Sequence, residues 1–204
     1  MKKNLLIAIS LTIVAGIVFL ARMVAAPSKE ASSFLSQLDG VTAGKTTEAE
    51  LLAKPAFQNL PRRCNNSECS YDFHAENLWL SRLHLAASAE IVIQVTVQDG
   101  LVVHVRSYGA IVDKKSMSLV AVIQDPSRKG CGANPCIRRA SKPPQRYNRF
   151  SFSSVTIEFN GDSNLRNQVS QAFNPSCLSR WLGCRNVDEL IPLIDHLQNA
   201  ISLN

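Results

Sequence analysis

The residues whose spacing most directly implies chemistry are six cysteines in three close pairs, Cys64/Cys69, Cys131/Cys136 and Cys177/Cys184. In an exported chain an even count reads as disulfides, and the clustering favours three local bridges. A local bridge closes a short loop and removes less chain entropy than a long-range one. These bridges are expected to fix loop shape more than to hold the fold together. The competing reading is a four-thiolate zinc site built from Cys64-x4-Cys69 and Cys131-x4-Cys136. Zinc ribbons favour a tighter gap, and export oxidises thiols, so no metal is expected. Redox catalysis lacks its Cys-x-x-Cys motif.

The other groups capable of catalysis are scattered. His74, His84, His104 and His196 form no His-x-x-x-His or His-Glu-x-x-His pattern. There is no Gly-x-Ser-x-Gly elbow and no Ser-x-x-Lys nucleophile, and Ser170 and Ser179 have no companion base nearby in sequence. Glu48/Glu50 and Asp188/Glu189 read as first-turn charges that complement a helix dipole. No cofactor is implied and no enzyme is expected. The alternative is a hydrolase whose carboxylates or histidine meet only after folding.

The strongest charge feature lies between Pro126 and Phe150. Arg128, Lys129, Arg138, Arg139, Lys142, Arg146 and Arg149 occur there with no acidic residue. Setting these aside together with Lys2, Lys3 and Arg22 leaves 12 Lys and Arg against 16 Asp and Glu, so the formal charge of +6 is a local property. The segment 126–149 reads as a long loop clipped by Cys131/Cys136, stiffened by Pro143-Pro144, and carrying Tyr147 between its last two arginines. Such a surface suits anionic lipid headgroups, acidic envelope polymers or an acidic protein partner. The opposing reading is a solvated loop balancing an acidic body. Export and missing recognition motifs argue against nucleic acid.

Place is read from the N-terminus. Lys2 and Lys3 precede an uncharged, mostly apolar stretch from Leu5 to Ala21, about 26 Å long as a helix and near the ~30 Å hydrocarbon core. The lysines keep the N-terminus cytoplasmic and send the remainder outward. The expectation is a signal anchor over residues 1–26, single-pass in the cell membrane, with an extracytoplasmic domain over 27–204. Cleavage after Ala26, at Val24-Ala25-Ala26, is the alternative. A charged fraction of 19% and a hydrophobic fraction of 46% are those of a globular domain.

The elements that must position these residues follow from periodicity. Pro27 to Glu30 reads as a spacer, and Phe34, Leu35 and Leu38 mark a short amphipathic helix over 31–38. Thr47-x-x-Glu50 is a capping box for a second short helix stopped by Pro55. This opening, Leu38 to Pro55 with Gly44-Lys45-Thr46-Thr47 in its middle, loosely resembles the helical start of small envelope-assembly lipoproteins of the BamE type. The resemblance spans fewer than about 20 residues, lacks their lipidated cysteine, and implies a helix-turn-helix shape and a place as an envelope-assembly subunit.

Ile91, Ile93, Val95 and Val97 alternate with Glu90, Val92, Gln94, Thr96 and Gln98, and after Asp99-Gly100 Leu101, Val103 and Val105 alternate with Val102, His104 and Arg106. A two-residue turn would set Val95 against His104 and mix the faces. A three-residue loop, Gln98 to Gly100, is expected instead, pairing Val97 with Leu101, Val95 with Val103 and Ile93 with Val105. Further strands are expected at Ser70–Phe73, Ser116–Ile123 and Phe150–Phe159, the last with a bulge at Ser153-Ser154. Asn77 to Leu85 is ambiguous between helix and strand. Leu165 to Phe173 and Val187 to Ile201 carry helical stripes, with Pro192 awkwardly deep in the second. The fold class is α+β: an N-terminal transmembrane helix, a short helical hairpin, an antiparallel sheet of about four or five strands, and C-terminal helices on one face.

Overall fold

The computed structural model describes residues 2–65, 67–124, 137–147, 150–159 and 173–191, with side chains described for 9–65, 67–124, 151–156 and 173–191. The first element, α1 (Lys2–Leu38), is one helix of 37 residues, about 55 Å long at 1.5 Å per residue. Its described residues from Ile9 to Arg22 are exposed, those from Met23 to Ser28 are half-buried, and Ala31, Phe34, Leu35 and Leu38 are buried. The helix is long and apolar enough to cross a membrane.

The expected spacer at Pro27 to Glu30, and with it the separate first helix of a hairpin, is therefore corrected: the apolar N-terminal helix runs without a break into the domain. A proline inside a helix costs about 3 kcal/mol. The stripe Ala31, Phe34, Leu35 and Leu38 holds that turn helical by packing on the sheet. Phe34 stacks on Phe73 with ring centroids 4.2 Å apart, and tilts against Phe57 at 4.9 Å.

Beyond α1 the chain turns through residues 39–47 into α2 (Glu48–Leu52), whose capping box forms as the sequence implies. The Thr47 hydroxyl accepts from the Glu50 amide at 3.2 Å, and the Glu50 carboxylate accepts from the Thr47 amide at 2.8 Å. α3 (Pro55–Gln58) follows.

A mixed sheet then forms, among the described residues, from β1 (Arg62–Asn65), β2 (Glu68–Glu76), β3 (Ser88–Gln98), β4 (Leu101–Asp113), β5 (Ser116–Gln124), β6 (Ile137–Tyr147) and β7 (Phe150–Phe159). Their spatial order is β1-β2-β3-β4-β5-β7-β6. The region from Asn77 resolves as helix, α4 (Leu78–Arg82). A short 3-10 helix, Pro175–Ser179, and α5 (Val187–Leu190) complete the described chain.

Two features depart from the expected four- or five-stranded antiparallel sheet. β1 and β6 join it, though neither has an alternating apolar pattern. β7 lies parallel to β5, because the β6–β7 hairpin folds back so that its second strand, not its first, meets β5. The expected bulge in β7 is also relocated. β7 pairs with β5 without interruption through Ser153 and Ser154, and the irregularity sits in β6 between Lys142 and Gln145, where Pro143 and Pro144 lack amide protons. Phe152 and Val155 thus fall on opposite faces of a regular strand.

The β3–β4 hairpin reconciles two demands that the sequence sets against each other. Gln98 pairs with Leu101, so the turn is the two residues Asp99 and Gly100, both at positive φ (51° and 76°), as a two-residue hairpin turn requires. Val97 then pairs with Val102, but Thr96 pairs with His104, leaving Val103 as the extra residue. The expected three-residue loop is corrected to a tight turn followed by a bulge. Its purpose is met all the same: Val95 faces Val105, and Ile93, Val95, Val102 and Val105 are buried together.

One face of the sheet carries the core. Phe34, Leu38, Phe57, Tyr71, Ile91, Ile93, Val95, Val120, Leu178, Leu190 and Ile191 belong to one buried cluster. α1, the 3-10 helix and α5 lie on this side. α5 ends at Leu190, with Ile191 in a non-helical conformation. That is the backbone the following Pro192 imposes. The rest of the two expected C-terminal helices, with His196 and Ser170, lies outside the described residues.

Candidate functional site

Four of the basic residues singled out from the sequence, Arg138, Arg139, Lys142 and Arg146, lie in β6 and not in a loop. β6 is the last strand of the sheet, so one row of its backbone groups has no neighbouring strand among the described residues. Open edges invite pairing with other chains, and Lys, Arg and Pro are the residues that proteins place there to prevent it. The composition that reads as a basic loop is also the composition of a guarded edge. Arg138 is in register with Glu158, and Lys142 with Ser154. Arg128, Lys129, Arg149 and the Cys131/Cys136 pair lie outside the described residues.

The two described cysteine pairs are bridged locally. Cys64–Cys69 ties β1 to β2 across a single rung, where the two residues are direct partners, and Cys177–Cys184 closes the loop between the 3-10 helix and α5. Among the described residues no group of three His, Cys, Asp or Glu side chains could hold a metal ion.

The sheet face opposite the core carries a polar row across β2, β3 and β4. The His74 ring nitrogen Nε2 lies 2.9 Å from a Glu90 carboxylate oxygen, and both side chains are substantially exposed. The Gln94 amide donates to Asp72 at 3.0 Å, and Arg106 donates to Gln94 at 3.4 Å. Arg63 lies 3.9 Å from Asp72. Of these, Arg63, Gln94 and Arg106 border a shallow groove of about 290 Å3 together with Ser70 and Thr96. Exposed pairs of this kind contribute little stability and leave their charges available to solvent.

On the core side of the same strands, α2 meets β1 and β2. Glu48 accepts from the buried Tyr71 hydroxyl and, at 2.8 Å, from Arg62. Burial and the neighbouring Glu48 carboxylate push the Tyr71 phenol up to about 12, against a smaller opposing effect of Arg62. Hydrogen bonds from the Thr47 amide and hydroxyl hold the Glu50 carboxyl below its ordinary value. This corner ties the capping box to the sheet, and nothing about it suggests a reaction.

An opening of about 750 Å3 lies at the end of the sheet away from the β3–β4 turn. His84, Asp113, Lys114, Leu182 and Arg185 border it with Ser81, Ser88, Ser116 and Ser118. His84 has a positive φ of 56°, strained for a residue with a side chain. Asp113 accepts from the Lys114 amide at 2.7 Å, a contact that shapes the β4–β5 turn. The His84 amide donates to the Ser81 carbonyl at 3.0 Å, but among the described residues no side-chain hydrogen bond joins the His84 ring to Asp113 or to a serine hydroxyl. No local pattern foreshadows this groove, because α4, the β4–β5 turn and the Cys177–Cys184 loop meet only in space. Compared with known proteins, the chain matches no family model, no curated protein and no solved structure.

Proposed function

We propose that this chain is a membrane-tethered extracytoplasmic binding or structural module that meets anionic envelope components through the basic edge of its sheet. The observation that carries the reading is the position of Arg138, Arg139, Lys142 and Arg146 on β6, the terminal strand of a sheet packed directly on the anchor helix. The apolar α1 and the local disulfides support export and tethering. The half-buried run from Met23 to Ser28 supports retention of the helix, since the peptide bond after Ala26 lies within packed structure.

The test replaces Arg138, Arg139, Lys142 and Arg146 together by Gln in the full chain, reconstituted in neutral vesicles, and measures binding of an anionic polymer. Polyphosphate serves as the probe. A basic residue close to an anionic surface contributes about 1 kcal/mol at moderate salt. The quadruple variant should therefore bind at least about tenfold more weakly and lose most of its salt dependence. Unchanged affinity and salt dependence would make these residues guards of the sheet edge and nothing further.

A hydrolase is the second reading, drawn from the groove that brings His84 and Asp113 to one opening. Hydrolysis of an ester or amide substrate that is abolished by His84→Ala, with the melting transition kept, would replace the binding module by the enzyme.

A further inference from the structure

The chain has two tryptophans, Trp79 and Trp181, and both are exposed, at 45% and 65%. Trp79 lies in α4 and Trp181 in the loop closed by Cys177–Cys184. Leu83 and Leu85 beside α4 are 57% and 45% exposed, and Leu182 beside Trp181 is 62% exposed. These segments touch one another. Gly183, at φ +61°, sits so close to the chain after α4 that an added Cβ would lie 2.6 Å from the Ala86 side chain and 3.2 Å from Asn77. Leu85 and Leu182 border the same opening. Five large exposed apolar side chains thus lie on the two touching segments that make up this rim, a concentration that marks an interaction surface.

The direction of α1 says what this rim meets. The C-terminal end of α1 lies at the β3–β4 turn, since the chain just beyond it bonds Gly44 to Val102 and Ala43 to Gln124. Phe34 stacks on Phe73 in the middle of β2. From Phe73 to Glu76 the strand covers about 10 Å, and α1 covers the same distance between Phe34 and about Pro27. α4 follows Glu76 closely in the chain and contacts α1, and the 3-10 helix packs along α1 as well. The rim therefore lies level with the stretch just C-terminal to Arg22, where the apolar Leu5–Ala21 segment ends. Arg82, Lys114, Lys115 and Arg185 are exposed around it, with Asp113 and Asp188 as exposed acidic neighbours.

We infer that α4 and the Cys177–Cys184 loop form a lipid footing, with Trp79, Leu83, Leu85, Trp181 and Leu182 entering the interfacial layer of the bilayer that α1 crosses. Tryptophan is the residue suited to that layer, its ring apolar and its N–H able to reach water or a headgroup. The basic side chains around the rim reach the same layer from above. The footing fixes the height and tilt of the domain, so that the sheet stands upright on the membrane with the β3–β4 turn farthest from it. This inference rests on α1 being a retained membrane anchor.

Since Trp79 and Trp181 are the chain's only tryptophans, its intrinsic fluorescence reports the rim alone. The full chain is reconstituted in phosphatidylcholine vesicles, and flotation is measured beside fluorescence. The footing predicts blue-shifted emission, quenching by lipids brominated near the top of the acyl chain more than by lipids brominated near its end, and weak quenching by aqueous iodide. Trp79→Phe and Trp181→Phe should each retain this pattern in the tryptophan that remains.

A chain that fails to float overturns the anchor and the footing together. A chain that floats, but whose tryptophans answer to iodide and not to brominated lipid, overturns the footing and leaves the anchor standing. Emission shielded from both quenchers in a floating chain means that a second copy covers the rim, which also overturns the footing.

Discussion

Thr47 and Glu50 close on each other at the start of α2, each side chain accepting from the other's backbone amide. Thr47→Ala removes one of these bonds and should lower stability by about 1 kcal/mol, read as a shift in the urea midpoint. The Glu50 carboxyl is held below its ordinary 4.5 by the bonds from Thr47. Its contribution is therefore present above that value and is lost as pH falls through the depressed folded value. Stability followed from pH 6 downward should decline less steeply in Thr47→Ala than in the parent chain.

Tyr71 behaves oppositely. Its phenol is raised from 10.0 to about 12 by burial and by Glu48. Its contribution is complete below pH 10 and is lost as pH rises toward 12. Tyr71→Phe should cost about 1.5 kcal/mol near neutrality, the scale of a hydrogen bond to a charged group, and should flatten the alkaline limb of a stability–pH curve. A limb that stays as steep would assign alkaline unfolding to other groups.

At the scale of elements, the β3–β4 hairpin stores a correction in one residue. The turn is as tight as Asp99-Gly100 permits, and Val103 restores the match between the apolar faces. Deleting Val103 leaves Val97 opposite Val102 and Thr96 opposite His104, so the remaining rungs keep their partners. Deleting Arg106 moves Ser107 to Ile111 by one position and turns their buried side chains to the other face. The Val103 deletion should keep a cooperative thermal transition, while the Arg106 deletion should abolish it, as followed by circular dichroism. If both deletions unfold the domain, the bulge has a further structural task.

β6 illustrates a different conflict. Its arginines, lysine and paired prolines read locally as loop, yet the strand forms, because β7 offers it a full ladder and the outer side of β6 needs no partner.

At the scale of the whole molecule, one helix is both long and apolar enough to cross a membrane and part of the core. The described part of α1 from Ile9 to Ala21 is exposed and apolar, and the part after Met23 packs on the sheet. The tethering reading predicts that protein extracted from its native membrane has an intact N-terminus by mass and resists extraction at alkaline pH. It also predicts that Cys64, Cys69, Cys177 and Cys184 are unreactive to thiol reagents before reduction. Mass loss corresponding to residues 1–26 would make the domain a soluble exported one. Its helix would then begin near Pro27 and keep the buried stripe of Ala31, Phe34, Leu35 and Leu38.

What the sequence determined by itself is what depends on near neighbours. The apolar run of α1, the Thr47–Glu50 capping box, the β3, β4, β5 and β7 strands, and the local pairing of Cys64 with Cys69 and of Cys177 with Cys184 all follow from spacings of a few residues. The tertiary structure decided whatever depends on a partner far along the chain. Pro27 could pass as a spacer until the sheet supplied a surface for the turns after it. β1 and β6 have no apolar alternation of their own and become strands because β2 and β7 present unpaired edges. The parallel meeting of β5 with β7 depends on which strand of a hairpin reaches the sheet first, and local preference carries no information about that. Trp79 and Trp181 are a hundred residues apart in sequence, and only the packing of Gly183 against Ala86 makes their surroundings one rim.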